Sequence, residues 1–119
     1  MIPIYKPHLY KESERLAISS IKNNEITIGK NIEIFERDFS KFCNRKYGVT
    51  CNNGTAALYL AIKALKLPTG SQVILPSMTI VSCLTAIVEN GLIPVFCDVN
   101  SITWNIDCDS IRNCISSNT

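Results

Sequence analysis

The sequence has no CxxC pair among its six cysteines, no block of basic residues, no second histidine, and no apolar run approaching the ~20 residues of a membrane span. Cys43, Cys51, Cys83, Cys97, Cys108 and Cys114 show no metal-type spacing, so no metal is expected. Cys51, Cys83 and Cys97 sit in apolar runs, where a reduced thiol packs as a small hydrophobe. The twelve Lys and Arg against ten Asp and Glu leave a formal net charge of +2, scattered from Lys6 to Arg112. So dilute a charge excludes a nucleic-acid binder. The N-terminus MIPIYKPHLYK lacks an apolar signal region, so no membrane partner is expected, and the chain reads as soluble, reduced and cytoplasmic.

Two nucleotide signatures are missing as well. Neither GxGxxG nor GxxxxGK[ST] occurs, which excludes a dinucleotide fingerprint and a P-loop. No nucleophile–base set is visible either. His8 lies in the N-terminal arm, and no lysine has a context that marks it as a Schiff-base former; Lys63 and Lys66 sit on the polar stripe of a helix. Catalytic residues are therefore not expected in this chain.

What is present is a globular composition, 46% hydrophobic and 18% charged over 119 residues, enough for one domain with a core. Residues 1–45 read as an arm and two helices, and residues 46–119 as strand–helix units, together one partial domain. Ile2 to Tyr10, with two prolines, is an extended arm. Lys11 to Asn24 carries a modest apolar stripe of Leu16, Ala17, Ile18 and Ile21. From Asn31, Ile32, Phe35, Phe39 and Phe42 recur at helical spacing. A strand over Tyr47–Cys51 and a helix over Thr55–Lys66 follow, ended by Pro68-Thr69-Gly70-Ser71.

Gln72–Pro76 (QVILP) reads as an interior strand and Ile80–Asn90 as a helix, with Gly91 at its C-terminal cap. Ile93–Val99 is a third strand, and Asp107 caps a last helix running to about Ile115. The fold class is α/β: a mainly parallel sheet covered by helices, joined by right-handed crossovers, and incomplete.

In such sheets ligands collect beyond the carboxyl ends of the strands. There the sequence places Asn52–Thr55, Ser77–Ile80 and Asp98–Asn100. Asn53, Gly54 and Thr55 bring backbone donors, a glycine and a hydroxyl to the positive end of a helix, where phosphate binds readily. Asn-Asn-Gly also makes a tight turn in any protein, and Asp98 suits either a ligand or the next turn.

Five blocks, IPIYKPHL, ITIGKNIEIFERDFSKF, KYGVTCNNGTAALYLAIKAL, GSQVILPSMTIVS and GLIPVFCDVNSITWNID, occur in one order and spacing. Together they resemble the N-terminal third of the DegT/DnrJ/EryC1/StrS family of pyridoxal-phosphate-dependent sugar aminotransferases. Within it they are most similar to enzymes that aminate 4-keto-6-deoxy nucleotide sugars, the perosamine synthases.

The resemblance implies the large domain of a fold-type-I aminotransferase, with pyridoxal 5'-phosphate as cofactor. It also implies a nucleotide sugar and an amino donor as partners, and a homodimer for the complete enzyme. Gly54 and Thr55, beside Asn53, match the positions that hold the cofactor phosphate, and Ile80 the position that packs on its ring, commonly aromatic in the family. Thr27 and Gly29 match a substrate-side segment, with Glu25 where tryptophan is usual; Thr85 replaces a frequent asparagine.

The family's cofactor lysine, and the aspartate facing the pyridine nitrogen, lie beyond residue 119. Later strands of the family sheet would sit between Tyr47–Cys51 and the next two, leaving strand edges unpaired. The expectation is a truncated or split product without transaminase activity of its own, poorly cooperative and aggregation-prone. The alternative is a catalytically inactive remnant that serves as a binding or oligomerisation module.

Overall fold

The computed structural model describes residues 3–119, so Met1 and Ile2, the start of the predicted arm, lie outside the described residues. The chain divides into two units, Met1–Thr50 and Cys51–Thr119.

The first unit holds α1 (Lys11–Lys22) and α2 (Lys30–Phe42). Glu12 and Glu14 occupy the first turn of α1 and Lys22 its last, each complementing the helix dipole. Arg15 reaches back one turn to Glu12. The helix stops at Asn23, and Asn24 turns the chain with φ 58°, a left-handed conformation that asparagine tolerates. The Asn31 side-chain amide donates to Ser20 Oγ at 2.8 Å across the turn. Along α2 the rings of Phe35 and Phe39 stack with centroids 5.5 Å apart, and Phe42 continues the row at 6.3 Å from Phe39. This is the predicted apolar stripe, and it is largely uncovered.

Tyr47–Cys51 corrects the sequence reading. The segment is not a strand, because no described segment pairs with it and an extended run without a ladder partner makes no sheet. Its Gly48 passes close to α2 instead: a β-carbon there would stand 2.7 Å from the Glu36 carbonyl oxygen, a distance that only glycine allows.

The second unit runs α3 (Gly54–Ala64), β1 (Gln72–Pro76), α4 (Val81–Glu89), β2 (Ile93–Cys97) and α5 (Cys108–Cys114). The two strands pair in parallel, from Gln72 opposite Ile93 to Pro76 opposite Cys97, with α4 as the crossover that a parallel pair requires. Gly91 ends α4 with φ +72°, the left-handed cap that the sequence placed there. Strand β2 stops at Cys97, short of the predicted Val99, which forms an isolated antiparallel bridge with Ile106 instead. Asp107 caps α5 as expected, its Oδ2 accepting the Ser110 N–H at 2.8 Å.

The core lies between α4 and the sheet: Leu75, Ile87 and Leu92, with Ile62, Val73, Cys83 and Leu84 packed against them. Cys97 and Cys83 behave as the predicted small hydrophobes, Cys97 buried and Cys83 half-buried. Cys51 does not; it is exposed. Burial, reinforced by Cys114 nearby, pushes the Cys97 thiol up and keeps it protonated.

Little else is enclosed. Phe96 is 52% exposed on β2 and Phe42 84% on α2. The accessible surface totals 10033 Å². Two independent folded units of these sizes would expose roughly 7,700 Å² together. The excess includes the exposed rings of Phe42 and Phe96.

Candidate functional site

The start of α3 is built by Asn53. Its backbone is extended and its side-chain Oδ1 accepts the Ala56 N–H at 2.8 Å, while its carbonyl accepts the Ala57 N–H at 3.1 Å. One side chain thereby satisfies one orphan donor of the first turn. The N–H groups of Gly54 and Thr55 have no protein acceptor among the described residues and sit at the positive end of an 11-residue helix.

Beside them is space. A β-carbon added at Gly54 would meet no atom within 4 Å, so nothing in the protein demands glycine there. The Thr55 side chain turns toward α4, where its Oγ1 lies 2.8 Å from Ser82 Oγ. Ser82 belongs to the first turn of α4, whose preceding residue, Ile80, is 67% exposed. Asn53, Gly54, Thr55 and Ile80 therefore belong to one neighbourhood, at the start of two packed helices and past the carboxyl end of β1. In this neighbourhood lie two free backbone N–H donors, the paired hydroxyls of Thr55 and Ser82, and an apolar side chain. No carboxylate of the site and no lysine is placed there by a described contact.

Asp98, left open between a ligand and a turn, serves the turn. Its Oδ1 accepts the Val99 N–H at 2.8 Å and its own N–H donates to Ser110 Oγ at 2.7 Å. Thr85, too, is locally satisfied, its hydroxyl donating to the Val81 carbonyl one turn back.

Thr27 and Gly29 lie in the first unit. Thr27 is exposed in the bend before α2. Gly29 is the N-terminal cap of α2, its carbonyl accepting from Ile32 and Glu33. Its backbone is extended, so the need for glycine is spatial: a β-carbon would stand 2.9 Å from Glu25 Cβ.

Two relationships escaped the sequence reading. Ser82 lies just past the Ser77–Ile80 segment, and its place in the first turn of α4 is the signal for it. Glu36 lies off the apolar stripe of α2, and its Oε1 accepts both the N–H and the hydroxyl of Thr50, at 2.7 and 2.8 Å.

The model of the DegT/DnrJ/EryC1/StrS aminotransferase family matches residues 7–119. The chain belongs to that family. GDP-perosamine synthase of Vibrio cholerae is 32% identical over 120 residues, covering 100% of this chain and 33% of that protein. Among solved structures, a Streptococcus pneumoniae protein assigned as a sugar aminotransferase, in its PLP form, superposes with a TM-score of 0.91 at 28% identity. The match covers 99% of this chain and 30% of that one. An E. coli GDP-4-keto-6-deoxy-D-mannose-3-dehydratase with bound hydrated PLP gives 0.81 at 27% identity, over 95% of this chain and 31% of that one.

The chain spans about a third of the length of the curated relatives it matches. Its fold is the α/β, parallel-sheet, N-terminal part of these DegT-family proteins. No helix among the described residues is long and apolar enough to cross a membrane.

Proposed function

We propose that this chain forms the cofactor-phosphate-holding, N-terminal part of a pyridoxal-phosphate-dependent aminotransferase acting on 4-keto-6-deoxy nucleotide sugars, in amino-sugar biosynthesis. The observation that carries the reading is the start of α3: two unpartnered N–H groups, open space at Gly54 and the Thr55 hydroxyl at a capped helix N-terminus. A phosphate monoester fits that set, because backbone donors and the helix dipole both favour a dianion.

Gly54 and Thr55 would hold the phosphate, with Asn53 keeping the first turn of α3 in place. Ile80 offers an exposed apolar side chain to one face of the ring. When bound, the cofactor supplies an electron sink that lets an amino group pass between a donor and a keto sugar. Thr27 and Gly29 would contact the nucleotide sugar. No lysine of this chain is given the Schiff-base role, so turnover is not assigned to residues 1–119 alone. The complete enzyme would be a homodimer, working in the cytoplasm.

The test is selectivity for the phosphate. Pyridoxal 5'-phosphate should bind the chain at least about tenfold more tightly than pyridoxal, since hydrogen bonds to a charged group are worth about 1.5–3 kcal/mol. Equal affinity for the two would remove the cradle. After borohydride treatment no single lysine should carry the cofactor; a stoichiometric adduct would show that the chain has its own Schiff-base residue. A 4-keto-6-deoxy nucleotide sugar should shift the Thr27 and Gly29 amide resonances.

The large uncovered apolar surface favours a second reading, a binding or oligomerisation module without catalysis. In that case the phosphate-binding turn would be kept without turnover, and the chain would form a stoichiometric complex through its exposed faces.

A further inference from the structure

The hydroxyls of Thr55 and Ser82, 2.8 Å apart, are each other's sole side-chain hydrogen-bond partner among the described residues, and either can be the donor. They join the first turns of α3 and α4, two helices that pack on one another. A hydroxyl has one proton and two acceptor positions. If Thr55 donates to Ser82, its proton is occupied and it turns only lone pairs toward the start of α3. An anion there would meet repulsion from that oxygen. If Ser82 donates to Thr55, the Thr55 proton is free for the anion. Interconversion needs rotation about two C–O bonds and no proton transfer.

From this geometry we infer that Ser82 is a positioning residue of the phosphate cradle, donating to Thr55 Oγ1 so that the Thr55 O–H can donate to a phosphate monoester. The inference rests on the phosphate reading of the α3 N-terminus proposed above. Ser82 does not touch the ligand; it acts through Thr55. The relay strengthens both bonds, since a hydroxyl that accepts becomes a better donor. It also fixes the Thr55 side chain, whose branched Cβ leaves few rotamers to choose from.

The experiment compares dissociation constants of pyridoxal 5'-phosphate and pyridoxal for the full chain and its variants. Ser82→Ala should weaken pyridoxal 5'-phosphate by about threefold to tenfold, the range of a neutral hydrogen bond, and leave pyridoxal unchanged. Alanine is a better helix former than serine, so loss of folding is not expected. Ser82→Thr, which keeps the hydroxyl, should restore the affinity. In a Thr55→Val background, Ser82→Ala should have no further effect, because the relay has lost its middle member.

Equal weakening of both ligands, failure of rescue by threonine, or an undiminished effect in the Thr55→Val background would each overturn the role, leaving Ser82 as helix packing. Inorganic phosphate titrated into the unaltered 15N-labelled chain gives an arm free of substitutions. The Gly54, Thr55 and Ser82 amides should shift with one common constant, and a stationary Ser82 beside moving Gly54 and Thr55 overturns the relay. If Gly54 and Thr55 are themselves unmoved and the unaltered chain does not prefer the phosphorylated ligand, the cradle has failed, and the relay with it. That outcome is separate from a cradle that binds without help from Ser82.

Discussion

Glu36 Oε1 accepts two hydrogen bonds from one residue, the backbone N–H of Thr50 at 2.7 Å and its hydroxyl at 2.8 Å. One turn of α2 thus fixes the end of a segment that has no strand to pair with, and Gly48 allows the backbone to come that close. The Glu36 carboxyl is held below its ordinary value, first by the Thr50 N–H and then by its hydroxyl, against the opposing effect of desolvation.

The sign of the pH dependence follows. A depressed folded-state pKa contributes anchoring that is present above the ordinary glutamate range and is lost as pH falls through the lowered value. The protection factor of the Thr50 amide should therefore hold at neutral pH and fall on acidification below the usual carboxylate range. Glu36→Gln should lower that protection at neutral pH and flatten its acid dependence. Protection that ignores pH in the unaltered chain would show that the carboxylate does not hold Thr50.

Ile80 is the residue proposed to cover the cofactor ring, and its side chain is 67% exposed. Exposure means that a larger ring displaces no core residue. Ile80→Phe should therefore leave the unfolding midpoint nearly unchanged. Against the cofactor ring it should gain about 0.5–1.5 kcal/mol of stacking, which tightens pyridoxal 5'-phosphate by about twofold to tenfold. Pyridoxal should gain equally, since stacking is indifferent to the phosphate; a gain confined to one ligand would place Ile80 elsewhere than on the ring.

How much of this was legible depended on whether a signal was local. The Phe35–Phe39–Phe42 stripe, the Gly91 cap and the Asp107 cap were readable because periodicity and capping are decided within a turn or two of helix. Gln72–Pro76 and Ile93–Cys97 were readable as strands for their β-branched, apolar content. Tyr47–Cys51 has the same content but not the partner, and pairing is not a property of the segment itself.

At the proposed site, the helix start at Asn53 and Gly54 was legible from a glycine after two asparagines. Ser82 is 27 residues from Thr55 and Glu36 is 14 from Thr50. No short-range pattern encodes those meetings. They are set by how α3 packs on α4 and where the chain runs along α2.

The uncovered surface has a measurable consequence. Among the described residues the buried apolar side chains are Leu75, Ala86, Ile87, Leu92 and Cys97, while Phe35, Phe39, Phe42 and Phe96 are each more than half exposed. So small a core gives little cooperativity, and apolar patches beyond a few hundred Å² attract other molecules. The chain should bind 1-anilinonaphthalene-8-sulfonate in its native state, unfold over a broad temperature range and self-associate as concentration rises. A sharp transition from a monodisperse, dye-free monomer would contradict an uncovered apolar surface.

Gly54 separates a ligand's demand from the fold's. It is the first residue of α3, its φ lies outside the left-handed region, and an added β-carbon meets nothing within 4 Å. The fold alone would be better served by alanine, which restricts the unfolded chain; Gly54→Ala should raise stability by about 0.4–1 kcal/mol. The same β-carbon would narrow the open space at the start of α3, where the phosphate is proposed to sit. Affinity for pyridoxal 5'-phosphate should therefore fall while the melting temperature rises, and pyridoxal should be little affected. Opposite signs in one variant distinguish a residue kept for a ligand from one kept for a turn. A substitution that stabilises the chain and leaves both affinities unchanged would mean that the space at Gly54 is merely empty.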